Sequence, residues 1–344
     1  MNMTERSFRF DVDPTLVNPN AEDNAKRLMT YLCDIYGKRT LTGQQIGVLS
    51  APEMTIIREV TGHYPAVYGF DFMNYSPSRT ERGSTCSDTD IAIDWWNGGG
   101  IVTFCWHWNA PKDLLDIPPE RSWSRGFYTE ATSFDVKKAM DDPDSEEYRL
   151  ILRDIDAIAV QLRRLQTAGV PVLWRPLHEA SGGWFWWGAR GAEPCVRLWK
   201  LMYDRMTNLH KLNHLIWVWN GQHADWYPGD EYVDIIGEDI YPPKKNYDSQ
   251  YERFQAALSY TGRKKIVALT ENGPLPDPDL MLADGALWSW SCTWYGDFVY
   301  VTDDEGNRTY SGEYTEREQL IKFYRHPFTL TKDELPDLKN YPIR

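Results

Sequence analysis

Long apolar runs are missing from this 344-residue chain. The longest are strand-length pieces such as Leu215-Ile-Trp-Val-Trp219, far short of the roughly 18–20 residues that cross a bilayer, which argues against a transmembrane protein. Positive charge is also in deficit: Lys and Arg number 37 against 50 Asp and Glu, for a net charge of −13. A balance of that sign repels phosphate backbones and anionic lipid, so nucleic acid and membrane surfaces are poor partners. Cysteines are few, odd in number and scattered (Cys33, Cys86, Cys105, Cys195 and Cys292), without CxxC spacing. Neither a disulfide framework nor a zinc site is indicated, and free, mostly buried thiols are expected. No low-complexity stretch, charge block or Ser/Gly linker divides the chain. A single catalytic domain over residues 1–344 is therefore expected, with a helical lead-in over 1–39 and a C-terminal tail over 328–344. The first ten residues lack the apolar segment of a signal peptide, which fits either a cytoplasmic protein or a mature form whose leader has been removed.

Hydrophobic residues make up 42% of the chain, enough for one sizeable core. After a helical pattern over Ala21 to Tyr36, eight β-rich runs follow: Thr40 to Gln45, Pro65 to Tyr75, Ile101 to Trp108, Val170 to Glu179, His214 to Asn220, Val233 to Tyr241, Lys265 to Glu271 and Ala286 to Trp294. Helical patterns separate them. In the stretch from Ser145 to Ala168, Leu150, Leu152, Ile155, Ile158, Ala159 and Leu162 fall at three- and four-residue spacings, and Gly169 supplies the stop. Pro194 to Leu212 has the same rhythm, and Ser50-Ala-Pro-Glu53 has the form of a capping box. The strands lack polar/apolar alternation (Ile235-Ile236, Val267-Ala268-Leu269), as expected when both faces are covered. Eight strand–helix units predict an α/β fold, a (β/α)8 TIM barrel, in preference to an open doubly wound sheet. No GxGxxG follows any strand. Chemistry then belongs at the carboxyl ends of the strands.

Twelve of the sixteen tryptophans fall near those ends: Trp106, Trp108, Trp174, Trp184, Trp186, Trp187, Trp217, Trp219, Trp226, Trp288, Trp290 and Trp294. Indole faces dock the C–H faces of sugar rings, so the cluster predicts a carbohydrate cleft, the competing reading being an aromatic core. Glu179 and Glu271 each end a strand. Either alone reads as a cap or ion-pair partner, but units four and seven lie across a closed barrel, where two inward carboxylates can flank one scissile bond as glycoside hydrolysis requires. The Ala180-Ser-Gly-Gly-Trp184 loop after Glu179 is expected to exclude water and raise its pKa, making Glu179 the acid and Glu271 the nucleophile. His107, His178 and His223, with Glu238 and Asp239 nearby, offer a rival metal site. No HxH or HExxH occurs, and on a regular strand His178 and Glu179 would point to opposite faces. No metal and no cofactor are expected.

The strings Trp174-Arg-Pro-Leu-His-Glu179-Ala-Ser-Gly-Gly-Trp184-Phe-Trp-Trp-Gly188, Asp234-Ile-Ile-Gly-Glu-Asp-Ile-Tyr241 and Ala268-Leu-Thr-Glu-Asn-Gly273 resemble glycoside hydrolase family 26, chiefly its β-mannanases. So do the segments Leu41-Thr-Gly-Gln-Gln45, Tyr68-Gly-Phe-Asp71 and Val102-Thr-Phe-Cys-Trp-His-Trp108, and the resemblance runs from about residue 40 to 300. It implies a retaining endo-hydrolase of β-1,4-mannosidic bonds with Glu179 as acid/base and Glu271 as nucleophile. It further implies that His178 orders the carboxylates and the sugar, and that Tyr241 hydrogen-bonds the nucleophile. Trp184 would stack on sugar beyond the cleavage point, and His107 and Trp294 would line the subsite of the sugar under attack. Some members carry Arg directly after the position of Trp294, where Tyr295 stands here. The family also holds β-1,3-xylanases and mixed-linkage β-glucanases, and a non-catalytic carbohydrate-binding barrel is the alternative from another class. The expected partner is a β-mannan polysaccharide or oligosaccharide, met by a monomer outside the cell, since a polymer does not cross a membrane.

Overall fold

The structure, a computed structural model, describes residues 10–47 and 51–344. Eight parallel strands, β1 (Thr40–Gln45), β2 (Val67–Asp71), β3 (Ile101–Cys105), β4 (Val172–Arg175), β5 (Leu215–Trp219), β6 (Ile235–Ile240), β7 (Ile266–Asn272) and β8 (Trp290–Thr293), pair in chain order. β1 also pairs with β8, Leu41 opposite Trp290 and Gly43 opposite Cys292, so the sheet closes into a barrel. At that seam a Cβ on Gly43 would lie 3.0 Å from the Ser291 carbonyl oxygen. Nearly every strand residue is buried, which is why the runs read as continuously apolar.

The helices in chain order are α1 (Asp23–Ile35), α2 (Pro52–Thr61), α3 (Pro77–Thr80), α4 (Asp88–Asn97), α5 (Val136–Asp141), α6 (Glu146–Thr167), α7 (Ala192–Asp204), α8 (Tyr251–Ser259), α9 (Pro278–Asp284) and α10 (Arg317–Arg325). The strand–helix repeat is broken once: between β5 and β6 the described residues hold only the 3-10 turns Ala224–Trp226 and Asp230–Tyr232. In α6, Ser145 caps the Tyr148 N–H and Gly169, at φ +71°, ends the helix. Ile151, Ile155, Ile158, Leu162 and Leu165 form its buried face, while Leu150 and Leu152 are half-buried at its edge. The helical pattern ending at Leu212 divides into α7 and a π-helical turn over Arg205–Leu209. Ser50 of the expected capping box lies outside the described residues. α2 itself is preceded by Ala51 without a side-chain cap.

The C-terminal segment is tied to the barrel's start. β11 (Thr329–Leu330) pairs parallel with β1, Tyr341 donates to Asp34 across 2.8 Å, and Arg27 donates to the Tyr341 carbonyl. Between β8 and α10 a hairpin of β9 (Tyr300–Thr302) and β10 (Arg308–Tyr310) rests on α2. No helix among the described residues is long and apolar enough to cross a membrane.

Candidate active site

β4 stops at Arg175 because Pro176 has no N–H to give the sheet. The chain then turns through two left-handed residues, Leu177 (φ +51°) and Glu179 (φ +53°). Strand alternation therefore does not govern His178 and Glu179, and the expectation that they face opposite sides of a strand is corrected. Non-glycine residues hold this conformation only where contacts impose it. The Glu179 N–H donates to the Asn220 carbonyl (2.7 Å) and to Asn220 Oδ1 (3.0 Å). Gly188, closing the Trp-Trp-Gly string, lies against the same turn: a Cβ there would fall 2.0 Å from the Ala180 carbonyl oxygen.

Across the barrel, a register shift between β6 and β7 brings Asp239 opposite Glu271, leaving Thr270 as the extra residue of a bulge. One carboxylate oxygen from each of Glu179, Asp239 and Glu271 lies within 4.8 Å of the others. Arg175, 1% exposed, binds Asp239 through Nη1 (2.7 Å) and Glu271 Oε1 through Nη2. Tyr241 Oη donates to Glu271 Oε2 across 2.6 Å, and Trp184 Nε1 donates to Glu179 Oε2 across 2.9 Å.

Arg175 bridges the two buried carboxyls Asp239 and Glu271, with half-buried Glu179 close beside them, so both glutamates resist ionisation. Burial, then the charges of Asp239 and Glu271, push Glu179 up to about 9. Burial and Asp239 also raise Glu271, to about 7, opposed by Arg175, His107 and the Tyr241 hydroxyl. Glu271 is the one held by Arg175 and Tyr241, contacts that favour its carboxylate, whereas burial and its acidic neighbours favour the protonated form of Glu179. The loop expected to raise the Glu179 pKa has a mixed effect: the Trp184 N–H acts the other way, favouring the carboxylate.

On the neighbouring wall, His107 Nδ1 sits 2.6 Å from Asp71 Oδ2, and its backbone N–H donates to Asp71 Oδ1 (3.0 Å). Burial works to raise the Asp71 carboxyl, but the His107 contacts outweigh it and hold Asp71 below its ordinary value. The proton thus lies on Nδ1, and His107 Nε2 faces His178 Nε2 at 3.2 Å. His178 is buried, a site that keeps it neutral, and it contacts His107 rather than a catalytic carboxylate.

These walls enclose a cleft of about 470 Å³ lined by His107, Tyr128, Glu179, Trp184, Phe185, Tyr241, Glu271, Trp294 and Phe298. Six of the seven residues singled out in the sequence line it, and His178 supports it from beneath. Tyr128, Phe185 and Phe298 carried no distinguishing sequence signal, being three aromatics among many. Arg175 and Asp239 did carry one: a charged side chain inside an apolar strand needs a partner of opposite sign.

Most of the tryptophans have another role. Trp106, Trp108, Trp174, Trp186, Trp187, Trp217, Trp219, Trp288 and Trp290 are buried, leaving Trp184, Trp226 and Trp294 partly open. The aromatic-core reading is correct for these nine. Trp106 stacks on Trp108 (centroids 4.1 Å apart), Trp108 meets Trp186 edge to face, and Trp186 donates to the Trp108 carbonyl, a packed base under the loop bearing Glu179. The histidine–acid set considered for a metal does not converge. His223 is exposed and caps the 224–226 turn, and Glu238 binds Arg253. Among the described residues two groups do bring ligand-type atoms together, Asp71–Cys105–His107 and Glu179–Asp239–Glu271. In the first, Asp71 and His107 bind each other; in the second, Arg175 already bridges two carboxylates.

The model of glycosyl hydrolase family 26 matches residues 17–334. A mannan endo-1,4-beta-mannosidase of Thermothelomyces thermophilus is 44% identical over 325 residues, 94% of this chain and 64% of the relative. The chain thus spans less than two thirds of that relative's length, and 54% of a Piromyces mannan endo-1,4-beta-mannosidase B that is 36% identical and matches 94% of this chain. Among solved structures, the Podospora anserina GH26-CBM35 beta-(1,4)-mannanase superposes with a TM-score of 0.88 at 45% identity, covering 96% of this chain and 70% of that one.

Proposed function

The chain belongs to glycosyl hydrolase family 26, and from that premise we propose that it is a retaining endo-β-1,4-mannanase acting on mannan and galactomannan. The observation that carries the mechanism is the spacing of the two glutamates. One oxygen of each lies within 4.8 Å of the other, which favours the roughly 5–5.5 Å between carboxyls of direct attack over the roughly 6.5–9.5 Å an inverting enzyme uses to seat its water.

In this reading, Glu271 attacks the anomeric carbon while Glu179 protonates the departing oxygen. A water then attacks the glycosyl–enzyme as Glu179 takes its proton. Arg175 and Tyr241 hold both oxygens of Glu271 and so aim the nucleophile. Trp184, 47% exposed beside Glu179, offers its indole face to the departing sugar. His107 and Trp294, rings 5.8 Å apart, flank the sugar under attack, with His178 fixing the His107 ring. Every group in this scheme is a side chain of the chain itself. A polymeric substrate implies action outside the cell.

The test is reducing-sugar release from galactomannan, β-1,3-xylan and mixed-linkage glucan side by side, with Glu179→Ala and Glu271→Ala proteins. Mannan should be the preferred polymer, and each substitution should lower turnover at least ~100-fold. Preference for xylan or glucan would move the assignment within the family. Parent-like hydrolysis by either variant would remove that glutamate from the chemistry.

A further inference from the structure

Asn220, immediately after β5, is fully buried and lies on neither strand that carries a catalytic glutamate. Its amide has a single sensible orientation. Asp239 can only accept and the Glu179 N–H can only donate, so the NH2 group faces Asp239 and the oxygen faces Glu179. Nδ2 donates to Asp239 Oδ1 (2.9 Å) and to Thr270 Oγ1 (2.8 Å). Thr270 passes its own proton to Asp239 Oδ1 (2.6 Å). On the other side, Asn220 Oδ1 and its carbonyl oxygen both receive the Glu179 N–H.

Asp239 continues through Arg175 to Glu271. One chain of hydrogen bonds therefore runs from the backbone of the acid to the carboxylate of the nucleophile, and Asn220 is its link on the acid side. Glu179 needs such a hold, because its left-handed backbone is a conformation a glutamate does not keep unaided. Alanine at 220 would keep the carbonyl contact but lose the side-chain link. Aspartate would set a carboxylate against Asp239.

We propose that Asn220 is a positioning residue for acid catalysis: it registers the left-handed turn carrying Glu179 against the Asp239–Arg175–Glu271 array, so that the acid meets the departing oxygen. This rests on the retaining β-mannanase reading above.

The experiment compares kcat/KM of the parent and Asn220→Ala on two substrates, mannopentaose, whose sugar leaving group must be protonated, and dinitrophenyl β-mannobioside, whose leaving group departs unaided. A misplaced acid should cost roughly 10- to 100-fold on mannopentaose and less than about 3-fold on the dinitrophenyl substrate. Equal losses on both, or none on either, overturn the proposal, since a general structural defect would not distinguish leaving groups. Asn220→Ser, which keeps a hydrogen-bonding group in the buried site, carries the same comparison should the alanine protein not fold. If the parent cleaves neither mannoside, the mannanase reading falls. Asn220 is then tested with the oligosaccharide and dinitrophenyl glycoside of whichever β-glycan the parent hydrolyses.

Discussion

Trp184 donates its indole N–H to Oε2 of Glu179 across 2.9 Å while its ring stays open to the cleft. One side chain thus combines an open indole face with a hydrogen bond that holds the Glu179 carboxyl, and the proposed function uses both.

The two roles separate in the variants Trp184→Phe and Trp184→Ala. Phenylalanine keeps a ring and loses the donor. Because that donor favours the carboxylate, its loss should raise the Glu179 pKa and move the basic limb of kcat/KM to higher pH. Alanine should add a loss of up to roughly 10-fold in kcat/KM on polymer, consistent with a stacking contact worth ~0.5–1.5 kcal/mol. An unmoved basic limb in the phenylalanine protein would remove the hydrogen bond from the account.

Asp239 raises both catalytic carboxyls, so Asp239→Asn should lower both. The proposed mechanism requires Glu271 ionised and Glu179 protonated. Activity therefore rises as pH climbs through the Glu271 value and falls as pH climbs through the Glu179 value, and the variant should shift the whole bell toward acid. The two apparent values belong to the pair. Initial rates from pH 4 to 10 read this directly, and a bell that stays in place would contradict the electrostatic role given to Asp239.

Tyr241→Phe removes the 2.6 Å hydrogen bond to Glu271 Oε2. That bond favours the ionised nucleophile, so its loss should raise the acidic limb and reduce kcat about 10-fold or more, the scale of one charge-assisted hydrogen bond. Steady-state kinetics on mannopentaose measure both effects. A parent-like acidic limb would mean that Tyr241 does not tune the nucleophile.

Glu179→Gln should stabilise the fold at neutral pH. The Glu179 carboxyl rises from 4.5 to about 9 on folding, so above about pH 4.5 the folded protein holds a proton the unfolded chain has released. The wild-type protein loses stability as pH rises through that window. A neutral glutamine escapes the loss, for a gain of ~1–3 kcal/mol at pH 7 and a Tm higher by a few degrees. The gain should vanish by pH 4. Thermal melts at the two pH values test it, and a glutamine protein no more stable than wild type at pH 7 would show that the acid is not held protonated.

How legible the molecule was depended on the range of the interactions. Continuous apolar runs such as Ile266-Val267-Ala268-Leu269 announced doubly covered strands, and β1 falls where its sequence pattern placed it, at Thr40–Gln45. Boundaries drifted where the chain kept an apolar character after leaving the sheet. The run from Ile101 to Trp108 ends as strand at Cys105, yet Trp106 and Trp108 remain buried. Proximity to a strand end did not distinguish an indole facing sugar from one packed beneath a loop. Nine of the twelve tryptophans are buried, because exposure depends on what covers a side chain rather than on its position along the strand.

The amino-acid order alone determined that Glu179 and Glu271 close strand-like runs three repeats apart, and that a parallel barrel would bring those ends to one face. Only the tertiary structure decided which groups each of the two meets. That depends on a guanidinium from β4 and a hydroxyl from the end of β6 reaching Glu271, while an asparagine after β5 grips the turn of Glu179. Hydrogen bonds and charge act over a few ångströms of space, and residues 96 positions apart, such as Arg175 and Glu271, acquire that closeness when the barrel closes.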